Sequence, residues 1–241
     1  MIPLHDDNPT EITPFVTIAL IVLCSLVFLY EASLPDHIAQ AFVFQYGAIP
    51  AAIFGHEDAL PDVAVGFPVT VTLLTSMFLH GGWMHLIGNM LYLWIFGNNI
   101  EDVMGHGKFV VFYVVCGILA AMSHALTDPA SGVPMVGASG AISGVLGAYL
   151  LLFPRAQVMV LIPLGFFTRA MYVPAGYVLG FWFVMQLLSG GASLGRSGGG
   201  VAFFAHIGGF VAGMALIGFF KHPNVRFFAP ARHRGGWQRW D

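Results

Sequence analysis

The sequence predicts an all-α fold: a polytopic membrane protein with a six-transmembrane-helix bundle and a long outer loop between helices 1 and 2. Three observations carry that expectation. Hydrophobic residues make up 57% of the 241 positions and charged residues only 9%, with a mean hydropathy of +0.79, whereas soluble domains carry roughly 25% charged residues. Six stretches, 14–34, 83–100, 108–126, 137–153, 171–190 and 202–220, are apolar and close to the ~20 residues that a ~30 Å hydrocarbon core requires of a helix. The basic residues, finally, gather in alternate connections between those stretches.

The first span follows an acidic start, "HDDNPTE", without the basic n-region or small-residue cleavage site of a signal peptide, and is read as retained. The connection from 35 to 82 carries Pro35, Pro50, Pro61 and Pro68 among apolar runs and the acids Glu57, Asp58 and Asp62. It is expected to lie at the outer interface as short amphipathic pieces. The fourth span is the shortest. Between the fifth and sixth, "SGGASLGRSGGG" (189–200) reads as a flexible outer linker that would let the fifth helix move aside. Cys24 and Cys116 fall within spans, fit no zinc spacing and read as small hydrophobes. With no internal repeat, the expected organisation is a cytoplasmic N-terminus (1–13), a membrane domain (14–220) and a basic cytoplasmic tail (221–241).

Cytoplasmic loops carry the excess of Lys and Arg. With the N-terminus inside, the inner connections and tail hold Lys108, Arg155, Arg169, Lys221, Arg226, Arg232, Arg234 and Arg239, and the outer ones Arg196 alone, so eight of the nine basic residues obey the rule. Both termini are expected in the cytoplasm, with the tail against anionic headgroups.

Polar residues within membrane spans mark function by default. The second, fourth and sixth spans all enter from the outer side. His85 and Asn89 lie near the start of the second, four residues apart and hence on one face; Ser139 opens the fourth; His206 lies about one turn into the sixth. Four polar groups from three helices thus share one depth. A serine in such a helix also serves packing or back-bonding, and a histidine can be structural. Gly140, Gly144 and Ala148 form one small-residue stripe and Ala205, Gly209 and Gly213 another, which would let two helices approach closely enough to bring Ser139 to His206.

The chemistry available to such a set is acyl transfer. A neutral imidazole takes the serine proton and returns it to a leaving amine. The developing oxyanion needs aimed donors, worth ~3 kcal/mol apiece, which Asn89, His85 and the backbone N–H at the helix start of Ser139 could supply. No Asp or Glu occurs between Asp128 and Asp241, so a Ser–His dyad is expected rather than a triad with a carboxylate.

The motifs "LLTSMFLHGGWMHLIGNMLYLWIFGNNIEDVMGHGKF", "GASG" around Ser139 and "AHIGG" around His206 resemble, in order and spacing, those of the rhomboid intramembrane serine proteases, over most of the chain from about residue 73. The resemblance implies a six-helix rhomboid-like bundle, Ser139 as nucleophile, His206 as general base, and His85 and Asn89 in the oxyanion hole. It implies cleavage of transmembrane protein substrates within the lipid bilayer, a water-filled cavity open to the outer face, and no cofactor, metal or nucleic acid. The membrane expected is the cytoplasmic (inner) membrane of a bacterium.

Two positions depart from the family pattern: Val71 and Thr72 stand where many members carry Trp-Arg, and Ser143 where some carry a tyrosine beneath the catalytic histidine. His80 reads as a structural brace of the outer loop, His124 as structural, and Glu101 and Asp102 as loop-ordering acceptors remote from the site. Two other readings stand beside the protease: a catalytically dead relative that escorts transmembrane helices, and a metal site built from His80, His85 and His206. The absence of H-E-x-x-H and of a carboxylate at that depth weighs against the metal.

Overall fold

A chain this apolar must satisfy its backbone polar groups internally, and helices do so along most of each of the six stretches, the fifth only from Ala175. The computed structural model describes residues 1–56, 68–164, 167–193 and 202–229. Helix α1 (Phe15–Ser33) leads into the short helices α2 (Asp36–Tyr46) and α3 (Pro50–Ile53); α4 (Val69–Thr75) continues into a 3-10 turn at Ser76–Phe78. Then α5 (Trp83–Tyr92), a π-helical turn at Leu93–Gly97 and α6 (Asn98–Met104) run on as one rod. Helices α7 (His106–Ala125), α8 (Ser139–Leu152), α9 (Ala175–Ser193) and α10 (Phe203–Phe220) complete the set. Among the described residues, α1, α7, α9 and α10 are long and apolar enough to cross a membrane, while α8 has only 14 residues.

The all-α expectation omitted one feature. Residues 2–6, assigned to a short tail, form strand β1 (Ile2–Asp6), and the connection after α8 is a hairpin of β2 (Gln157–Leu164) and β3 (Phe167–Pro174), in a three-stranded antiparallel sheet of order β1-β2-β3. Met171, Tyr172 and Val173, expected to open the fifth span, instead pair with Met159 and its neighbours, and the helix starts at Ala175, just past Pro174. Val158 and Val160 point into the core, as the two-residue period of a strand allows. The expected linker 189–200 is likewise shorter, because α9 runs to Ser193; residues 194–200 with Arg196, the acids Glu57, Asp58 and Asp62, and the tail from 230 lie outside the described residues.

Helix α8 is the centre of the bundle, buried from Gly140 to Tyr149. The α10 glycines that face it meet its backbone rather than side chains: a Cβ on Gly209 would overlap the Gly140 carbonyl oxygen, and one on Gly213 the Gly144 carbonyl oxygen. On its other flank Gly144 faces Cys116 of α7, whose Cβ would lie 2.6 Å from an added methyl. The two small-residue stripes thus form a single close crossing of α8 and α10.

At the far end of α8 from Ser139, both ends of the described chain are tied down. Strand β1 pairs with β2, just beyond α8, and the Tyr149 hydroxyl donates to Asp6 Oδ2 at 2.6 Å. Beyond α10, the Phe228 and Ala229 amides donate to the Leu151 and Leu152 carbonyls of α8, at 2.8 and 2.9 Å. The start of α1, preceded by Pro14 with no side-chain cap of its own, is capped across the chain. Fully buried Glu101 accepts from the Val16 and Thr17 amides at 2.9 and 2.8 Å and from the Thr17 hydroxyl at 2.7 Å, and it pairs with His106. Asp102 accepts from the Glu11 and Ile12 amides. A carboxylate placed there satisfies the orphan N–H groups of the first turn and faces the positive end of the helix dipole.

Gly213→Ala puts a methyl into backbone of α8, so it should lower the detergent melting point, at a cost of about 1–3 kcal/mol or more, whereas Gly180→Ala, where nothing lies within 4 Å, should not. Burial pushes the Asp6 carboxyl up to about 7, against the Tyr149 hydrogen bond, which pulls it down. The folded state therefore binds a proton that the unfolded chain releases above the ordinary carboxylate range. Its stabilising contribution is full below about 3.8 and is lost as pH rises through about 7. Melting points measured from pH 5 to pH 8 should fall, and Asp6→Asn should flatten that slope.

Candidate active site

The close crossing of α8 and α10 sets two side chains face to face. Ser139 is the first residue of α8, just before Gly140; His206 lies three residues before Gly209, the partner of Gly140. The result is a His206 Nε2 to Ser139 Oγ distance of 2.8 Å. Both are half-buried, at the wall of a cavity of about 1300 Å³ that His85, Asn89, His124 and Trp182 also line.

His85 and Asn89 approach the same point from α5. They abut the segment before the serine so closely that only glycine fits there: a Cβ on Gly137 would sit 2.7 Å from His85 Nε2 and 3.7 Å from Asn89 Nδ2, and the residue has φ +122°. The Gly81 amide donates to His85 Nδ1 at 3.3 Å. With Nδ1 accepting, a neutral His85 carries its proton on Nε2, on the side of the ring that faces Gly137. The Asn89 amide nitrogen is buried with no partner among the described residues, a donor held ready. The Ser139 N–H, in the first turn of α8, has no intrahelical acceptor. Three donors therefore border the space beside the serine oxygen.

The four residues singled out from the sequence are thus brought together. His80 is almost fully buried and its Nδ1 lies 3.2 Å from the Phe78 carbonyl; its ring meets that of His85 edge-on at 5.2 Å, so it braces His85 from behind. His124 lines the cavity with Nδ1 buried and without a partner among the described residues. Glu101 and Asp102 cap α1, away from the cavity. Thr72 donates to the Val69 carbonyl within α4. Ser143 donates to the Ser139 carbonyl at 2.6 Å, back-bonding within α8 rather than reaching the histidine.

The residues that do reach it come from α9 and were missed. His206 Nδ1 lies 2.8 Å from Gln186 Oε1, and the Trp182 ring flanks the imidazole, centroids 5.9 Å apart and planes at 36°. Reading the sequence for a carboxylate left Gln186 out. The available signal was a lone glutamine in an apolar helix, one turn beyond a tryptophan on the same face.

Comparison with known proteins agrees with these motifs. The family model described as Rhomboid domain matches residues 69–223. The rhomboid protease GluP of Bacillus subtilis is 34% identical over 144 residues, covering 60% of this chain and 25% of its own. The mitochondrial rhomboid protein 1 of Saccharomyces cerevisiae is 30% identical over 148 residues, 60% of this chain and 40% of its own. RHOMBOID-like protein 5 of Arabidopsis thaliana is 38% identical over 78 residues, 32% of this chain and 25% of its own. The chain therefore spans between a quarter and two fifths of the length of these relatives.

Proposed function

Because the chain belongs to the rhomboid family, whose domain model covers residues 69–223, we propose that it is an intramembrane serine endopeptidase cleaving transmembrane or membrane-adjacent segments of other membrane proteins through an acyl-enzyme. The observation that carries this reading is the 2.8 Å contact between His206 Nε2 and Ser139 Oγ, beside an unpartnered Asn89 amide nitrogen.

The steps follow from those positions. The Ser139 hydroxyl donates to His206 Nε2, which removes the proton as Oγ attacks the scissile carbonyl carbon. The carbonyl oxygen turns toward Asn89 Nδ2, His85 Nε2 and the Ser139 backbone N–H, whose dipoles meet the developing negative charge. The imidazolium passes its proton to the departing amine, leaving the acyl group on Oγ. A water in the cavity, deprotonated by the same Nε2, then attacks the ester and restores the serine. No carboxylate takes part.

We read all six helical rods as crossing the bilayer, with both termini cytoplasmic. Eight of nine basic residues favour that orientation, and β1 and the segment after α10 meet the same end of α8. A reporter fused after Asp241 should accordingly read as cytoplasmic and one inserted near Gly198 as external; the reverse result refutes the map.

The site assignment is tested by kinetics on four purified variants, with melts alongside. Ser139→Ala should abolish turnover and fluorophosphonate labelling together, and His206→Ala should come close to that. Asn89→Ala and His85→Ala each remove one donor of three, so they should slow the reaction by on the order of 10² to 10³ without unfolding the protein, and the losses should not add. Normal turnover by Ser139→Ala would end the protease reading.

A further inference from the structure

We propose that Gln186 is a positioning residue: its side-chain carbonyl accepts the Nδ1 proton of His206 and so holds the imidazole in the one tautomer that can accept a proton from Ser139. The inference rests on the Ser–His reading above and completes it.

The geometry is a relay through the ring. Gln186 Oε1, His206 and Ser139 Oγ are joined by two contacts of 2.8 Å, one at each ring nitrogen. A neutral imidazole carries one proton, and only the Nδ1-protonated form leaves a lone pair on Nε2 for the serine hydroxyl. A carbonyl oxygen can accept from Nδ1 but cannot donate, so it selects that form. Were the amide turned over, its NH₂ would donate to Nδ1, the proton would move to Nε2, and the base would be lost. The two amide orientations predict opposite activities.

Among the described residues, Gln186 is the hydrogen-bond partner of His206 Nδ1. The titratable groups among those residues that act on His206 from other elements are the imidazoles of His85 on α5 and His124 on α7; Asp128, a carboxylate lining the same cavity, acts on His124 rather than on His206. From α10 itself the nearest neighbours, Ala205 and Ile207, are apolar. Gln186 is also placed by its helix rather than by chance. It follows Trp182 by four residues, so both face the imidazole, while Phe181, Val184, Met185, Leu187 and Leu188 around them are exposed. A carboxamide in such a helix costs free energy unless it is hydrogen-bonded, and here its oxygen is spent on the base. Being neutral, it orients the imidazole without adding a charge to stabilise the imidazolium, which separates it in principle from the carboxylate of soluble triads.

The test is fluorophosphonate labelling rate against pH for the full chain in detergent, with Gln186→Leu, Gln186→Glu, Ser139→Ala and melting curves. Gln186→Leu keeps the bulk and removes the acceptor; labelling should fall at least about tenfold, as expected when a base loses its tautomer, with the melting point near that of the parent. Gln186→Glu should restore labelling and move the acidic limb of the profile to higher pH, because a carboxylate at Nδ1 retains the proton on the ring. Parental labelling by Gln186→Leu would overturn the proposal, as would a Gln186→Glu profile with an unmoved acidic limb. That second measurement stands even where Gln186→Leu fails to fold. If Ser139→Ala is inert while the Gln186 variants are indifferent, only the role of Gln186 falls; if Ser139→Ala still labels, the Ser–His reading falls first.

Discussion

The whole cavity depends on the contact of two glycine-lined backbones. Between α8 and α10 no side chain intervenes where Gly209 meets Gly140 and Gly213 meets Gly144. In lipid no hydrophobic effect draws helices together, so association rests on close packing and on weak Cα–H···O contacts that only such an approach permits. The 2.8 Å reach from His206 to Ser139 is a by-product of that packing. Helices held apart by one more methyl layer would leave a gap for water between imidazole and hydroxyl.

The remaining elements steady that crossing from its far end. Glu101 holds the first turn of α1, Asp6 holds Tyr149, and the segment after α10 bonds to the last turn of α8. Backbone and side-chain bonds therefore concentrate opposite the cavity. At the cavity itself two polar atoms, Asn89 Nδ2 and His124 Nδ1, are left without partners among the described residues. Such groups cost free energy in a folded chain and are usually kept where chemistry uses them.

Much of this was legible because the signals are periodic or local. The helical stretches follow from hydropathy, the close crossing from small residues four apart, and the convergence of His85, Asn89, Ser139 and His206 from counting depth along spans taken to alternate in direction. What escaped was non-local or chemically unexpected. Strand β1 is five residues long and owes its conformation to β2, some 155 positions away, so no local window contains the cause. The β2–β3 hairpin was hidden by its own apolarity, since a run such as "QVMVLIPL" reads equally as the approach to a helix. The cap on α1 is supplied by Glu101, and only its acceptor role, not its client, could be guessed. Gln186 escaped because an amide was not sought where a carboxylate is customary.

The brevity of α8 works as a ruler. At ~1.5 Å per residue its 14 residues rise only ~21 Å, against ~30 Å of hydrocarbon. Arg155, just past its C-terminal end, belongs at the headgroups, so the serine at the other end falls short of the opposite surface by ~9 Å, about two turns of helix. On the protease reading proposed above, a peptide bond would have to descend below the lipid carbonyls to be cut, and residues already within a stable, fully hydrogen-bonded helix offer no free carbonyl there. Under that reading the geometry would favour segments that unwind readily near the membrane boundary: it would measure how easily a helix end frays before any side chain is read.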